Sequence, residues 1–211
     1  MNDEQWLSTR TYSWQVDSFP SAPTRVVVAP PHIATTLGLS QVVDKDGTAG
    51  GEPAPGCPAE PLSAPEVIAV AGYPTGRHHT LVKAAEARLA VQTGAVEVWV
   101  CVDGGNTDLN AHLAELITVR DACPYPARLG LIVPQALGHI LPPALGSNCP
   151  VSARALADCA AKAGFERVIV PAASGEPAGA AWPVEAVALA GEGADVIAQL
   201  EGGAAYVALR A

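Results

Sequence analysis

Residues 67–105 read VIAVAGYPTGRHHTLVKAAEARLAVQTGAVEVWVCVDGG, a stretch that divides by pattern into strand, loop, helix, turn and strand. Val67–Ala71 is a short, almost wholly apolar run, as expected of a parallel strand covered on both faces, and it stops at Gly72-Tyr73-Pro74. Thr80 is placed to cap a helix, and Leu81, Ala85 and Leu89 recur at four-residue spacing on one face. Gly94 stands where a left-handed C-terminal cap belongs. Val96, Val98, Val100 and Val102 then alternate with Glu97, Trp99, Cys101 and Asp103, a strand with two distinct faces. Together these predict one complete βαβ crossover.

Moving outward, the same rhythm recurs. Strands are expected at Tyr12–Val16 and Arg25–Ala29, the second ended by Pro30-Pro31 and followed by a short helix at Ile33–Leu39. Beyond the central unit come a helix at Leu109–Ala122 and a strand at Leu129–Val133. A helix at Ser152–Ala163, capped by Ser152 and stopped by Gly164, leads to a strand at Arg167–Val170. A run at Val184–Ala190, a helix at Asp195–Leu200 and a strand at Ala205–Leu209 complete the pattern. Residues 47–65 hold four Gly and five Pro in nineteen positions and read as a loop insertion, not a boundary, because the βα rhythm resumes after them. Residues 172–183 have no helical period, so that crossover is expected to be trimmed to a loop. Alternating βα units demand a parallel sheet with right-handed crossovers. Seven or eight strands in 211 residues favour one domain over 1–211, a (β/α)8 TIM-type barrel with one or two crossover helices shortened or missing. A doubly wound open sheet is the alternative.

Composition narrows the function. Hydrophobic residues make up 49% and charged residues 16%, a surface sparse in charge that suits contact with another subunit. A net charge of −9 without a basic stripe argues against nucleic acid or an anionic membrane as partner. MNDEQWLSTR has neither the basic start nor the apolar core of a secretory signal, and no apolar run reaches a membrane span, so a cytoplasmic location is expected. Cys57, Cys101, Cys123, Cys149 and Cys159 lack metal-ligand spacing and read as free thiols.

Three blocks carry a family resemblance. Gly72-Tyr73-Pro74-Thr75-Gly76, Val82-Lys83-Ala84-Ala85-Glu86-Ala87 and Gly94-Ala95-Val96-Glu97-Val98 resemble, in order and distance, the GFPxG, VKAAEA and GADEID blocks of the deoxyribose-phosphate aldolase family. The resemblance implies a (β/α)8 barrel, commonly oligomeric, that cleaves 2-deoxyribose 5-phosphate reversibly into acetaldehyde and glyceraldehyde 3-phosphate. It also implies a Schiff-base lysine, a second lysine that lowers its pKa, and an aspartate that moves protons. No cofactor is implied. An amine attacks a carbonyl only when neutral, which requires desolvation or a neighbouring cation near pH 7. Carried over block by block, the aspartate falls at Trp99, the Schiff-base lysine at Ile169 or, one residue on, Val170, and the second lysine at Ala188. None is retained. The phosphate-binding glycines are likewise reduced to Ala190-Gly191-Glu192-Gly193, where Glu192 would repel a phosphate.

The chain holds three lysines, and none falls on an expected strand: Lys45 in a polar loop, Lys83 early in a helix, Lys162 near the end of another. Lys83 and Glu86 read as a pair on an exposed helix face. Trp99, if the four valines face the helices, points into the barrel and fills it. Candidate ligand-binding residues gather on the loops after strands: Arg77, His78 and His79, then Asp103, Asn106 and Asp108, with His139 further on. Arg77, His78, Asp103 and Asn106 suit a small anionic ligand better than a metal, although surface loops often carry such residues and a solvated loop is the leading alternative. Glu176 and Glu192 have no second carboxylate at a spacing that would support paired-acid hydrolysis. Three functions stay open: a barrel that keeps the scaffold and works by binding or assembly, a lyase using other residues at the barrel mouth, and an aldolase whose lysine stands elsewhere in the sequence.

Overall fold

The computed structural model describes residues 3–16, 25–38, 65–138, 149–172, 182–191 and 194–210. Within them, eight parallel strands close into a barrel in sequence order. They are β1 (Thr11–Trp14), β2 (Arg25–Val28), β3 (Glu66–Ala71), β4 (Glu97–Cys101), β5 (Arg128–Ile132), β6 (Arg167–Pro171), β7 (Glu185–Ala190) and β8 (Tyr206–Arg210). Closure runs through β8 and β1, from Thr11 against Val207 to Trp14 against Arg210, which removes the open-sheet alternative. Each strand is short and apolar enough to be covered on both faces, the condition an all-parallel sheet imposes.

Helices α1 (Asp3–Ser8) and α2 (33–38) belong to the first strands. Longer crossovers follow: α3 (Thr80–Thr93), α4 (Leu109–Ala122), the single turn α5 (Pro134–Leu137) and α6 (Ala153–Lys162). The connection from β7 to β8 carries only the six-residue α7 (Val196–Glu201), where a helix at Asp195–Leu200 is expected from the sequence. The Gly/Pro-rich stretch lies outside the described residues except at Pro65, as does most of the crossover after β6.

Helix α3 departs from its sequence reading in three ways. Its cap is His79, whose Nδ1 accepts from the backbone N–H of Leu81 at 3.2 Å, so Thr80 is already helical. Its buried side is Lys83, Ala84, Ala87 and Ala90, packed against β3, β4 and α4, while Leu81 and Leu89 stand 65% and 60% exposed. Lys83 is not a surface residue at all: it is fully buried. Four-residue spacing of large apolar side chains marks a ridge, but a barrel helix approaches its strands closely only where the side chains are small, and the alanines provide that. Gly94 does adopt the left-handed cap, at φ 114°.

Two layers of side chains fill the barrel. Near the amino ends of the strands, the buried Arg167 guanidinium donates from Nη1 to Glu97 Oε2 and to Tyr12 Oη, both at 2.6 Å, and lies 4.3 Å from the Tyr206 ring centroid. Glu97 Oε1 accepts from the Trp99 indole N–H at 2.6 Å. Above, Trp99 stacks on Trp14 with centroids 6.2 Å apart and meets Tyr12 edge-on at 5.7 Å. Gly130 makes room for this: a Cβ there would lie 2.7 Å from Trp99 Cδ1 and 2.8 Å from Ile169 Cδ1. Trp14 also approaches the Tyr73 ring, at 5.9 Å, so aromatic packing continues up to the loop after β3.

Candidate functional site

Barrel chemistry belongs at the carboxyl ends of the strands and the loops beyond them. Here the loop from Gly72 to His79 is pinned from below. The Gly72 N–H donates to Glu86 Oε2 at 2.7 Å, and the Gly76 N–H donates to the Gly72 carbonyl at 2.8 Å. The ammonium of Lys83 donates to the Gly76 carbonyl at 2.6 Å and to the Cys101 carbonyl at 3.3 Å, and forms an ion pair with Glu115 of α4. A buried ammonium needs partners for its three protons, and these oxygens supply them. Gly76 has φ 67°, and a Cβ there would sit 2.1 Å from the Val102 carbonyl carbon, so only glycine allows the loop to lie on the end of β4.

That close approach brings two of the expected residues together. Arg77 Nε lies 3.3 Å from Asp103 Oδ1, with the arginine side chain 71% exposed and the aspartate 36%. The same carboxylate oxygen accepts from the Gly105 N–H at 2.9 Å. Asn106 belongs to the loop rather than to a pocket: its Oδ1 accepts from the Asp108 N–H at 2.9 Å, and its carbonyl faces Nε2 of the buried His112 at 3.0 Å. Asp108 in turn caps α4 through the Asn110 N–H at 2.8 Å. His78 is directed elsewhere, lining a groove between Pro30-Pro31 and α3. His139, Glu176, Glu192 and Lys45 lie outside the described residues.

The positions that the resemblance assigned to chemistry are apolar and packed. Trp99 and Ile169 are fully buried and meet across Gly130 in the barrel interior. Ala188 needs correction, because it faces outward: it clusters with Ala190 and Val207 against Val196 and Leu200 of α7. Its neighbours in β7, Val187 and Leu189, belong to the main core and are equally without an amine. Among the described residues, Lys83 lies beneath the mouth loop between α3 and α4, and Lys162 is exposed on α6.

Burial governs the titrating groups. It pushes the Tyr12 hydroxyl up to about 12, against the opposing pull of Arg167. It also pushes the Cys101 thiol far up, despite the nearby Lys83 ammonium, so the thiolate needed of a nucleophile is suppressed. For Arg167, burial alone would lower the value, but the Glu97 carboxylate and Tyr12 outweigh it and the guanidinium stays charged. Sequence reasoning overlooked this buried pair and the Lys83–Glu115 pair. The signal for the first was present: Glu97 stands two residues before Trp99 on the same face of β4.

Comparison with known proteins finds that the chain has sequence likeness to deoxyribose-phosphate aldolases. It is 52% identical over 73 residues to a deoxyribose-phosphate aldolase of Corynebacterium jeikeium, covering 33% of this chain and 29% of the relative. It is 46% identical over 81 residues to that of Nocardia farcinica, covering 36% of each. The alignments thus span about a third of the curated relatives' length. Among solved structures, the tetrameric deoxyribose phosphate aldolase of Aeropyrum pernix superposes with a TM-score of 0.62 at 16% identity, over 96% of this chain and 86% of that one. This likeness shows the shared barrel fold. No family model matches the chain. The chain is therefore related in sequence to deoxyribose-phosphate aldolases over about a third of its length and shares their fold throughout the described residues.

Proposed function

We propose that the chain is a deoxyribose-phosphate aldolase-like barrel protein without Schiff-base activity, acting by binding or assembly. The observation that supports it is the filling of the barrel: Trp14, Trp99 and Ile169 pack where a substrate and a lysine would have to stand. An iminium requires an amine free to meet a carbonyl, and the buried amine nearest the mouth among the described residues, Lys83, is instead engaged by Glu115 and two backbone carbonyls. Assembly draws support from the tetrameric Aeropyrum pernix relative.

A retro-aldol assay with 2-deoxyribose 5-phosphate tests the reading by following release of acetaldehyde. No release above the protein-free rate is expected. Turnover that disappears in the Lys83→Arg variant would overturn it. A second reading, a site for a small anion at the mouth, is favoured by the exposure of the Arg77 guanidinium and its tether to Asp103. On that reading inorganic phosphate raises the unfolding temperature of the natural chain and not of the Arg77→Ala variant. An equal response from both removes it. The same mouth residues would have to serve the rival lyase, and turnover unaffected by Lys83→Arg but lost in Arg77→Ala would favour that lyase instead.

A further inference from the structure

Of the chain's four tryptophans and four tyrosines, five stand in one column through the barrel: Tyr206, Tyr12, Trp99, Trp14 and Tyr73. From the half-buried Tyr206 at the amino end to the half-buried Tyr73 at the mouth, successive ring centroids lie 5.5, 5.7, 6.2 and 5.9 Å apart. The three rings between them are buried. Packing alone asks only for large apolar side chains, which leucine or phenylalanine would supply. Tryptophan and tyrosine differ from those in that they give up an electron readily. Electronic coupling falls steeply with distance, so rings in contact pass electrons quickly.

The two ends of the column are not equivalent. At the amino end the guanidinia of Arg10, Arg25 and Arg167 lie 5.3, 5.9 and 4.3 Å from the Tyr206 ring centroid. Those of Arg25 and Arg167 lie 5.3 and 5.7 Å from that of Tyr12. Positive charge at this range opposes loss of an electron. Tyrosine also sheds its proton when oxidised, and the Tyr12 hydroxyl faces the Arg167 guanidinium, which has no acceptor to offer. Trp99 has what Tyr12 lacks. Its indole N–H donates to Glu97 Oε1 at 2.6 Å, while Arg167 takes the other carboxylate oxygen. An indole that has lost an electron is a strong acid, and a carboxylate within hydrogen-bond reach is placed to receive its proton. Trp14 lacks such a base: its buried Nε1 has no hydrogen-bond partner among the described residues. Oxidation from the mouth therefore passes through Trp14 and comes to rest on Trp99.

We propose that Trp99 is a proton-coupled one-electron donor, connected through Trp14 and Tyr73 to one-electron oxidants that meet the barrel mouth. Such oxidants are oxidised metal complexes or organic radicals too large to enter the filled barrel. The oxidant takes one electron from Tyr73, whose phenolic proton passes to water. Trp14 returns an electron to Tyr73, which takes a proton back, and Trp99 returns one to Trp14. Nε1 of Trp99 then releases its proton to Glu97 Oε1. The net change is an oxidant reduced by one electron, a neutral indolyl radical at Trp99 and a protonated Glu97. This activity is independent of assembly and of aldol chemistry.

Photogenerated ruthenium(III) tris-bipyridine is the test oxidant, mixed with the full chain carrying Trp6→Phe and Trp182→Phe so that Trp14 and Trp99 are the tryptophans left. Transient absorption is expected to show the neutral indolyl radical, forming more slowly in deuterium oxide. In the same background Tyr73→Phe, which removes only a hydroxyl, is expected to lose that signal, as are Trp14→Phe and Trp99→Phe, with native circular dichroism in each. Tyr206→Phe, at the arginine-rich end, is expected to keep it. Should Trp14→Phe fail to fold, Tyr73→Phe decides. The proposal would be overturned by the absence of an indolyl radical in the parent, by a cation spectrum in place of the neutral one, or by a signal that survives Tyr73→Phe. Loss of the signal in Tyr206→Phe would overturn it as well.

Discussion

Lys83 shows how strongly one side chain can organise a loop. Its ammonium joins the Gly76 carbonyl, the Cys101 carbonyl and the Glu115 carboxylate, and so ties the mouth loop, β4 and α4 together. Replacing it with methionine keeps the volume but leaves a largely buried carboxylate without its cation. Lys83→Met is therefore expected to lose about 3–5 kcal/mol in urea unfolding, and Lys83→Met with Glu115→Leu to regain much of it. A loss below about 1 kcal/mol would mean that the pair is solvated. Tyr12 makes a second prediction at this scale. Its folded value of about 12 stands above the ordinary value of 10. The folded state therefore holds the phenolic proton more tightly, and stability present below pH 10 declines as pH rises from there through 12. Cys101, whose thiol is also pushed up, adds to that alkaline loss, starting from the ordinary thiol value of 9. Titrating stability against pH in the natural chain and in Tyr12→Phe checks this, because the phenylalanine variant should lose the Tyr12 component of the decline.

Helix α3 carries the lesson for elements. Its close packing rests on Ala84, Ala87 and Ala90, so Ala87→Leu is expected to cost about 1–3 kcal/mol by overpacking. Arg88→Ala, one residue along and exposed, should stay within about 0.5 kcal/mol, and equal effects would contradict the assigned face. The strands, the closed barrel and the caps at Ser152 and Gly94 were legible in the sequence, because parallel strands and these two residues each carry a local signal, whereas the His79 cap of α3 was not. The buried face of α3 was not. Periodicity reports where large apolar side chains lie, whereas the width of the gap between helix and strand decides which face enters it. Ala188 escaped for a related reason: in β7 every residue from Ala186 to Ala190 is buried, and apolar character on both faces hides which one turns inward. At the mouth, the Arg77–Asp103 pairing follows from the contact at Gly76, a tertiary approach that no local pattern announces.

For the whole molecule, the decisive feature is what the closed ring of strands holds. An ion pair between Arg167 and Glu97 seals the amino end, and stacked tryptophans occupy the space above it. Such a barrel has the (β/α)8 architecture with its interior filled by packed side chains, so Trp99→Ala is expected to cost about 3–5 kcal/mol in stability and, on the proposed function, to create no aldolase. On the proposed function, no lysine is expected to form an iminium with a sugar aldehyde. Intact-mass measurement after incubation with 2-deoxyribose 5-phosphate and borohydride tests it most directly, since reduction makes any iminium permanent. An unchanged mass is expected. A covalent adduct mapped to any of Lys45, Lys83 or Lys162, absent when sugar phosphate is omitted, would contradict it.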